Sequence, residues 1–118
     1  MSYDINLTDP VTKEVIMLDH KHQIIGGTYQ VGGTAYLHLN VTWNFGVHYR
    51  KHFGENGIRT LYGMTGAESI PLLKDVITKL GDDVDPDYWK ATEGNAKQAL
   101  CGLLAFAQMR PDGVWNGD

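Results

Sequence analysis

Thr34-Ala35-Tyr36-Leu37-His38-Leu39-Asn40-Val41-Thr42 alternates strictly: Ala35, Leu37, Leu39 and Val41 are apolar, while Tyr36, His38, Asn40 and Thr42 carry hydrogen-bonding groups. A period of two sends the two sets to opposite faces of a β-strand, so one face is buried and the other is open. Upstream, residues 14–18 (Glu14 to Leu18) read as a strand, Asp19-His20-Lys21 as a turn, and residues 22–25 as a return strand ending at Gly26-Gly27. Residues 28–31 and 34–42 flank Gly32-Gly33, a two-residue loop able to take the positive φ of a tight hairpin. Three or four antiparallel strands of this kind form a small meander sheet.

Past residue 43 the period becomes helical. A short aromatic helix is expected over 45–53, stopped by Gly54, with Tyr49 and Phe53 on one face. Thr65-Gly66-Ala67-Glu68 has capping-box spacing, and Ser69 with Pro71 offers a second start four residues on. Either start leaves Leu73, Val76, Ile77 and Leu80 as a core-facing stripe that Gly81 ends. Thr92 can cap a last helix over 93–109, in which Ala96, Ala99, Leu100, Leu103, Leu104 and Ala107 form a broad apolar face before Pro111. The expected fold is α+β in one domain over 1–118: strands over 1–43 packed against about three helices over 44–110, then a C-terminal tail over 111–118.

At 118 residues the chain is long enough to bury a core without disulfides or a structural metal. Its one cysteine, Cys101, excludes a disulfide framework and points to a reducing compartment. Within the last helix Cys101 is expected to be buried and inert. The start Met1-Ser2-Tyr3-Asp4 lacks a signal-peptide pattern and no apolar run reaches a membrane span, so a cytoplasmic protein is expected. Residues 1–59 hold five basic and five acidic side chains, and residues 60–118 five basic and nine acidic, which places the net charge of −4 in the second half. Without a Lys/Arg run, neither nucleic acid nor an anionic membrane is an expected partner.

Three constellations could carry chemistry. His48 and His52 are four apart, with Asp19, His20 and His22 in one turn and His38 on the open strand face. A small metal-dependent hydrolase could use His48, His52 and a third ligand from the Asp19–His22 group, but neither group matches a complete zinc pattern. Asp83-x-Asp85-x-Asp87 imitates the start of a calcium loop, yet Tyr88 stands at its glycine position and Gly94 at its glutamate position, which leaves a solvated acidic loop. The third is Gly57 to Ser69: a glycine-bearing turn entering a helix offers free N–H groups, and Arg59 adds a bidentate donor. It lacks both the P-loop ending and the dinucleotide spacing, so the competing reading is a tight turn and a cap. Trp43, Asn44, Phe45, Tyr49 and Tyr62 gather near it, beside Asn40 and Thr42, which makes a pocket there worth seeking. The expected ligand-binding residues are Asn40, Trp43, Arg59, Tyr62, Thr65, Gly66, Glu68 and Ser69. No catalytic residue, metal ligand or cofactor is assigned, since Ser2 and Ser69 lie outside any nucleophile elbow.

The order Leu39-Asn40-Val41-Thr42-Trp43-Asn44-Phe45, Gly57-Ile58-Arg59 to Ser69-Ile70-Pro71, Asp87-Tyr88-Trp89-Lys90-Ala91-Thr92-Glu93-Gly94-Asn95-Ala96 and Pro111-Asp112-Gly113-Val114-Trp115 resembles small proteins of tailed bacteriophages and prophages. The likeness spans residues 14–115. It implies a phage setting and a life in the host cytoplasm, and it carries no residue role. The expected function is that of a phage-type accessory protein that binds a small anionic or nucleotide-like ligand or a host protein, as an inhibitor or in an anti-defence role. A virion or assembly component, with a homo-oligomer as its partner state, is the remaining alternative.

Overall fold

The computed structural model describes residues 2–22 and 33–118. Its elements are β1 (Ser2–Thr8), β2 (Met17–His22), β3 (Thr34–Tyr36), β4 (His38–Thr42), α1 (Gly46–Phe53), α2 (Gly66–Lys79), α3 (Glu93–Met109) and β5 (Val114–Gly117), with 3-10 turns at Trp43–Phe45 and Gly57–Leu61. The α+β class expected from the sequence is the one observed.

β1 is the centre of the larger sheet, whose order is β4-β1-β5 rather than a run of successive neighbours. Tyr3, Ile5 and Leu7 face the core, while Ser2, Asp4 and Asn6 stay partly exposed, which is the alternation of a one-sided strand. Antiparallel pairing sets Ile5 opposite Leu39 on β4 and Leu7 opposite Trp115 on β5. Buried Leu37, Leu39 and Val41 continue the same inner face, as their alternation requires. Tyr88 closes the outer edge of β4: its hydroxyl accepts from the Thr42 N–H at 3.2 Å and donates to the Asn40 carbonyl at 3.4 Å.

Several expected boundaries are corrected. Asp19-His20-Lys21 is strand, within β2, and the chain turns earlier. There the Asp9 carboxylate accepts from the N–H groups of Val11 and Thr12, and Lys13 takes a positive φ of 65°. An Asx turn of this kind needs only a short acceptor two or three residues back, a local signal that the period-two reading passes over. The expected long strand 34–42 is two strands that part at Leu37. Its N–H donates to the Ile16 carbonyl, the Ile16 N–H donates to Leu7, and the Leu7 N–H donates to Leu37, in a closed ring of three bonds of 2.9–3.0 Å. All three side chains are buried, so this ring seals the junction between the two sheets. The expected strands at 23–25 and 28–31 lie outside the described residues. The supposed tail is β5: once β1 offers an edge, four residues suffice to pair with it.

The helices follow the sequence closely. α1 ends at Gly54, whose φ of 109° favours glycine. α2 starts at Thr65 with a reciprocal capping box to Glu68, which decides between the two possible starts and places Pro71 inside the helix on its exposed side. α3 runs over 93–109 with Thr92 accepting from the Asn95 N–H at 3.1 Å. Leu73 and Val76 of α2 and Ala96, Leu100, Leu103 and Phe106 of α3 are buried together in one core. Cys101, expected in that core, is exposed instead: with Gln98 and Gln108 it lies on the face opposite Leu100, Leu103 and Ala107.

Candidate functional site

The chemistry of the molecule concentrates at one corner, where the start of β1, the Trp43–Phe45 turn, the Gly57–Leu61 turn and the end of β5 meet. Thr42 fixes the approach, since its side chain accepts from the Asn44 N–H and starts the turn that presents Trp43. The Trp43 ring stacks on Tyr3 with centroids 5.6 Å apart and planes 18° from parallel. Tyr3 is 5% exposed and Trp43 is 41% exposed, so the pair forms a shelf with one wet face. The guanidinium carbon of Arg59 lies 5.2 Å from the Tyr3 ring centroid and 5.5 Å from that of Trp43. Its Nε donates to the Asp118 backbone oxygen at 3.0 Å, which fixes the plane of the group. Arg59 makes no ion pair among the described residues.

Two glycines let these groups approach. A Cβ at Gly46 would stand 2.8 Å from the Arg50 guanidinium and 3.0 Å from the Tyr3 hydroxyl, so Arg50 borders the same ring as Arg59. A Cβ at Gly117 would stand 2.5 Å from the Tyr62 hydroxyl, which is buried and makes no hydrogen bond among the described residues. Loss of water pushes the Tyr62 phenol up to about 12, helped by the charge of Asp118, while nearby Arg59 pulls the other way.

The structure therefore brings Trp43, Arg59 and Tyr62 together and separates the other expected ligand residues. Asn40 sits on the opposite face of the sheet, where its amide donates to Ser2 Oγ at 2.6 Å and to Asp4 Oδ1 at 2.7 Å. At the start of α2 the donors are already engaged. The N–H of Gly66 donates to Gly113, that of Ala67 to Pro111, that of Glu68 to Thr65 Oγ1 and that of Ser69 to the Thr65 carbonyl. The Ser69 hydroxyl is buried between the Gly66 carbonyl and the Trp115 indole N–H. Thr65, Gly66, Glu68 and Ser69 thus anchor the chain around β5. The backbone and side chain of Thr65 hold the Glu68 carboxyl below its usual range.

The histidines do not converge. His20 and His22 lie on β2, while His48 on α1 is tied to the Ala91 carbonyl at 2.8 Å. Among the described residues no three His, Cys, Asp or Glu side chains come together as a metal site, so the ligand set of the hydrolase alternative is not assembled. The acidic loop is held from inside: the Asn95 amide binds the backbone of Asp85, Asp87 and Lys90, and Lys97 pairs with Asp82.

A concavity of about 710 Å³ lies away from this corner, between the Asp9–Met17 segment, Tyr36 and Arg110. Its arginine is spent: Arg110 holds Asp112 through two bonds of 2.9 and 2.8 Å and reaches Asp9 at 3.7 Å. A shallower one of about 240 Å³ is lined by Asn6, Val15, Thr34, Tyr36 and His38. No described helix is long and apolar enough to cross a membrane. Comparison with protein-family models, curated proteins and solved structures gives no match.

Tyr3, Arg50 and Asp118 complete the corner and were not among the expected site residues. The alternation Tyr3-Asp4-Ile5-Asn6-Leu7 is a signal for the first of them. Nothing local marks the other two.

Proposed function

We propose that the protein is a phage-type accessory protein that acts by binding, and that its contact residue is Arg59 on the Tyr3–Trp43 shelf. The observation that supports this reading is a guanidinium set against two rings and bonded through Nε to the Asp118 backbone oxygen, with no ion pair to an Asp or Glu side chain among the described residues. Its terminal nitrogens keep the fork geometry that suits a carboxylate or phosphate. The occupant is a small anionic or nucleotide-like ligand or an anionic group on a host protein, and the setting is the host cytoplasm, where binding would serve inhibition of a host or defence component.

Thermal shift with ATP, cyclic AMP and glucose 6-phosphate tests the small-ligand form. A probe at about 100 times its dissociation constant stabilises the fold by roughly 2.7 kcal/mol. Arg59→Gln removes that shift. On its own the substitution lowers stability by only ~0.5–1 kcal/mol, the worth of an exposed cation–ring contact. No shift with any of the three probes in the wild type would leave the protein-binding form.

A further inference from the structure

We infer that the face formed by Trp43, Val47, Arg50, Lys51 and Arg59 is a docking surface for an acidic segment of another protein, in which carboxylates flank an apolar side chain. This rests on the binding role of the Arg59 corner and names its partner. Val47, Arg50 and Lys51 follow the spacing i, i+3, i+4 on α1 and so share one side of that helix, with Trp43 on the 3-10 turn just before it. All four are exposed, Val47 at 56%. The sequence contains no long basic run, yet the fold sets Arg50 against Gly46 and Tyr3, beside the shelf that carries Arg59.

Two observations select an acidic occupant. The chain carries a formal charge of −4, and Arg50, Lys51 and Arg59, like Lys13, Lys21 and Lys74, make no ion pair with an Asp or Glu side chain among the described residues, but these three gather around Tyr3 and α1. Asp118 stands beside Arg59, which donates to its backbone oxygen at 3.0 Å, while Arg50 and Lys51 have no Asp or Glu side chain in ion-pair reach among the described residues. The same face offers an indole and two arginines, the residue types that most often anchor protein interfaces. A nucleic acid is the weaker candidate, since three cations on an acidic chain supply little of the field that phosphate backbones require.

The test uses fluorescein-labelled peptides read by anisotropy: one with glutamates flanking leucine and phenylalanine, one with lysines in place of the glutamates. The acidic peptide is expected to bind, more weakly as salt rises, and the lysine peptide not to bind. Arg50→Glu with Lys51→Glu should weaken the acidic peptide at least roughly tenfold. Both substitutions are at exposed positions, and an unchanged urea midpoint shows that the fold is kept. Absence of binding at about 1 mM peptide, equal binding of both peptides, or binding that survives the double substitution overturns the inference. Binding of an oligonucleotide in preference to the peptide also overturns it, as does self-association lost in the double variant, which would name a second copy as occupant. A nucleotide or phosphosugar shift abolished by Arg59→Gln alone, with no peptide binding, removes this inference and leaves the proposed function standing.

Discussion

β5 runs between two arginines that the fold treats in opposite ways. Arg110, just before it, is clamped by Asp112 in a two-pronged pair and backed by Asp9. Arg59, held by Asp118 just after it, has rings beneath and no side-chain ion pair among the described residues. A neutralised guanidinium has exchanged its water for an internal partner and serves the fold. One that is oriented without a side-chain ion pair is free to serve the proposed binding role.

The largest break in this comparison comes from removing what both ends share. Trp115 is 1% exposed and its indole N–H donates to Ser69 at 2.7 Å. Trp115→Ala should cost ~3–5 kcal/mol by urea denaturation, since it opens a cavity and strips the buried hydroxyl of its donor.

Arg110→Gln should lower the urea midpoint at low salt, an effect that fades as salt rises. Its pH signature is specific. Arg110 holds the Asp112 carboxyl below its usual range, as the Thr12 and Val11 N–H groups hold that of Asp9. A depressed folded pKa gives stability that is present above the usual carboxylate value and is lost as pH falls through the depressed one. Arg110→Gln should therefore flatten the acid limb of the stability curve through Asp112, and Arg59→Gln should leave that limb unchanged.

Two tyrosines sharpen the contrast at alkaline pH. Burial raises both phenols, Tyr62 to about 12 and Tyr49 well above its usual value. A raised folded pKa means stability fully present below the ordinary value near 10 and lost as pH climbs through the folded one. Tyr49 donates to the Ala96 carbonyl at 2.9 Å, so Tyr49→Phe should cost ~1 kcal/mol at pH 7. The Tyr62 hydroxyl has the Arg59 guanidinium near it but no well-formed hydrogen bond among the described residues, so Tyr62→Phe should change stability by less than ~0.5 kcal/mol at pH 7 while reducing the loss above pH 10. Circular dichroism across pH 7–12 reads both.

The smallest effect belongs to Cys101, on the exposed face of α3. It should label with a thiol reagent in the native protein as fast as in the unfolded one to within a few fold, and Cys101→Ala should stay within ~0.5 kcal/mol of wild type.

Where local chemistry dictates structure, the sequence was readable. Thr92 and its apolar stripe gave α3 to the residue, and Thr65 with Glu68 gave the start of α2 once the ambiguity with Ser69 was resolved. Cys101 was misplaced because a stripe this broad leaves its margins undefined by about one residue in either direction. β5 was invisible for another reason: Val114-Trp115-Asn116-Gly117 is too short to show a period, and its conformation is imposed by an edge of β1 more than a hundred residues earlier. Trp43 and Arg59 were legible at the site as residue types. Their shelf was not, because it depends on Tyr3 and Asp118 at opposite ends of the chain, and pattern within a window carries no such pairing.

The hydroxyl of Tyr88 stands against the outer edge of β4, taking one step of the ladder a neighbouring strand would occupy. An open edge recruits strands from other molecules, and crowding raises that hazard as the protein accumulates. A single phenol on the loop before α3 thus does the work of a border guard: it satisfies Asn40 and Thr42 without extending the sheet. The same group ties the acidic loop to the strand that leads into Trp43, so the approach to the proposed docking face and the cover of the sheet edge hang on one side chain.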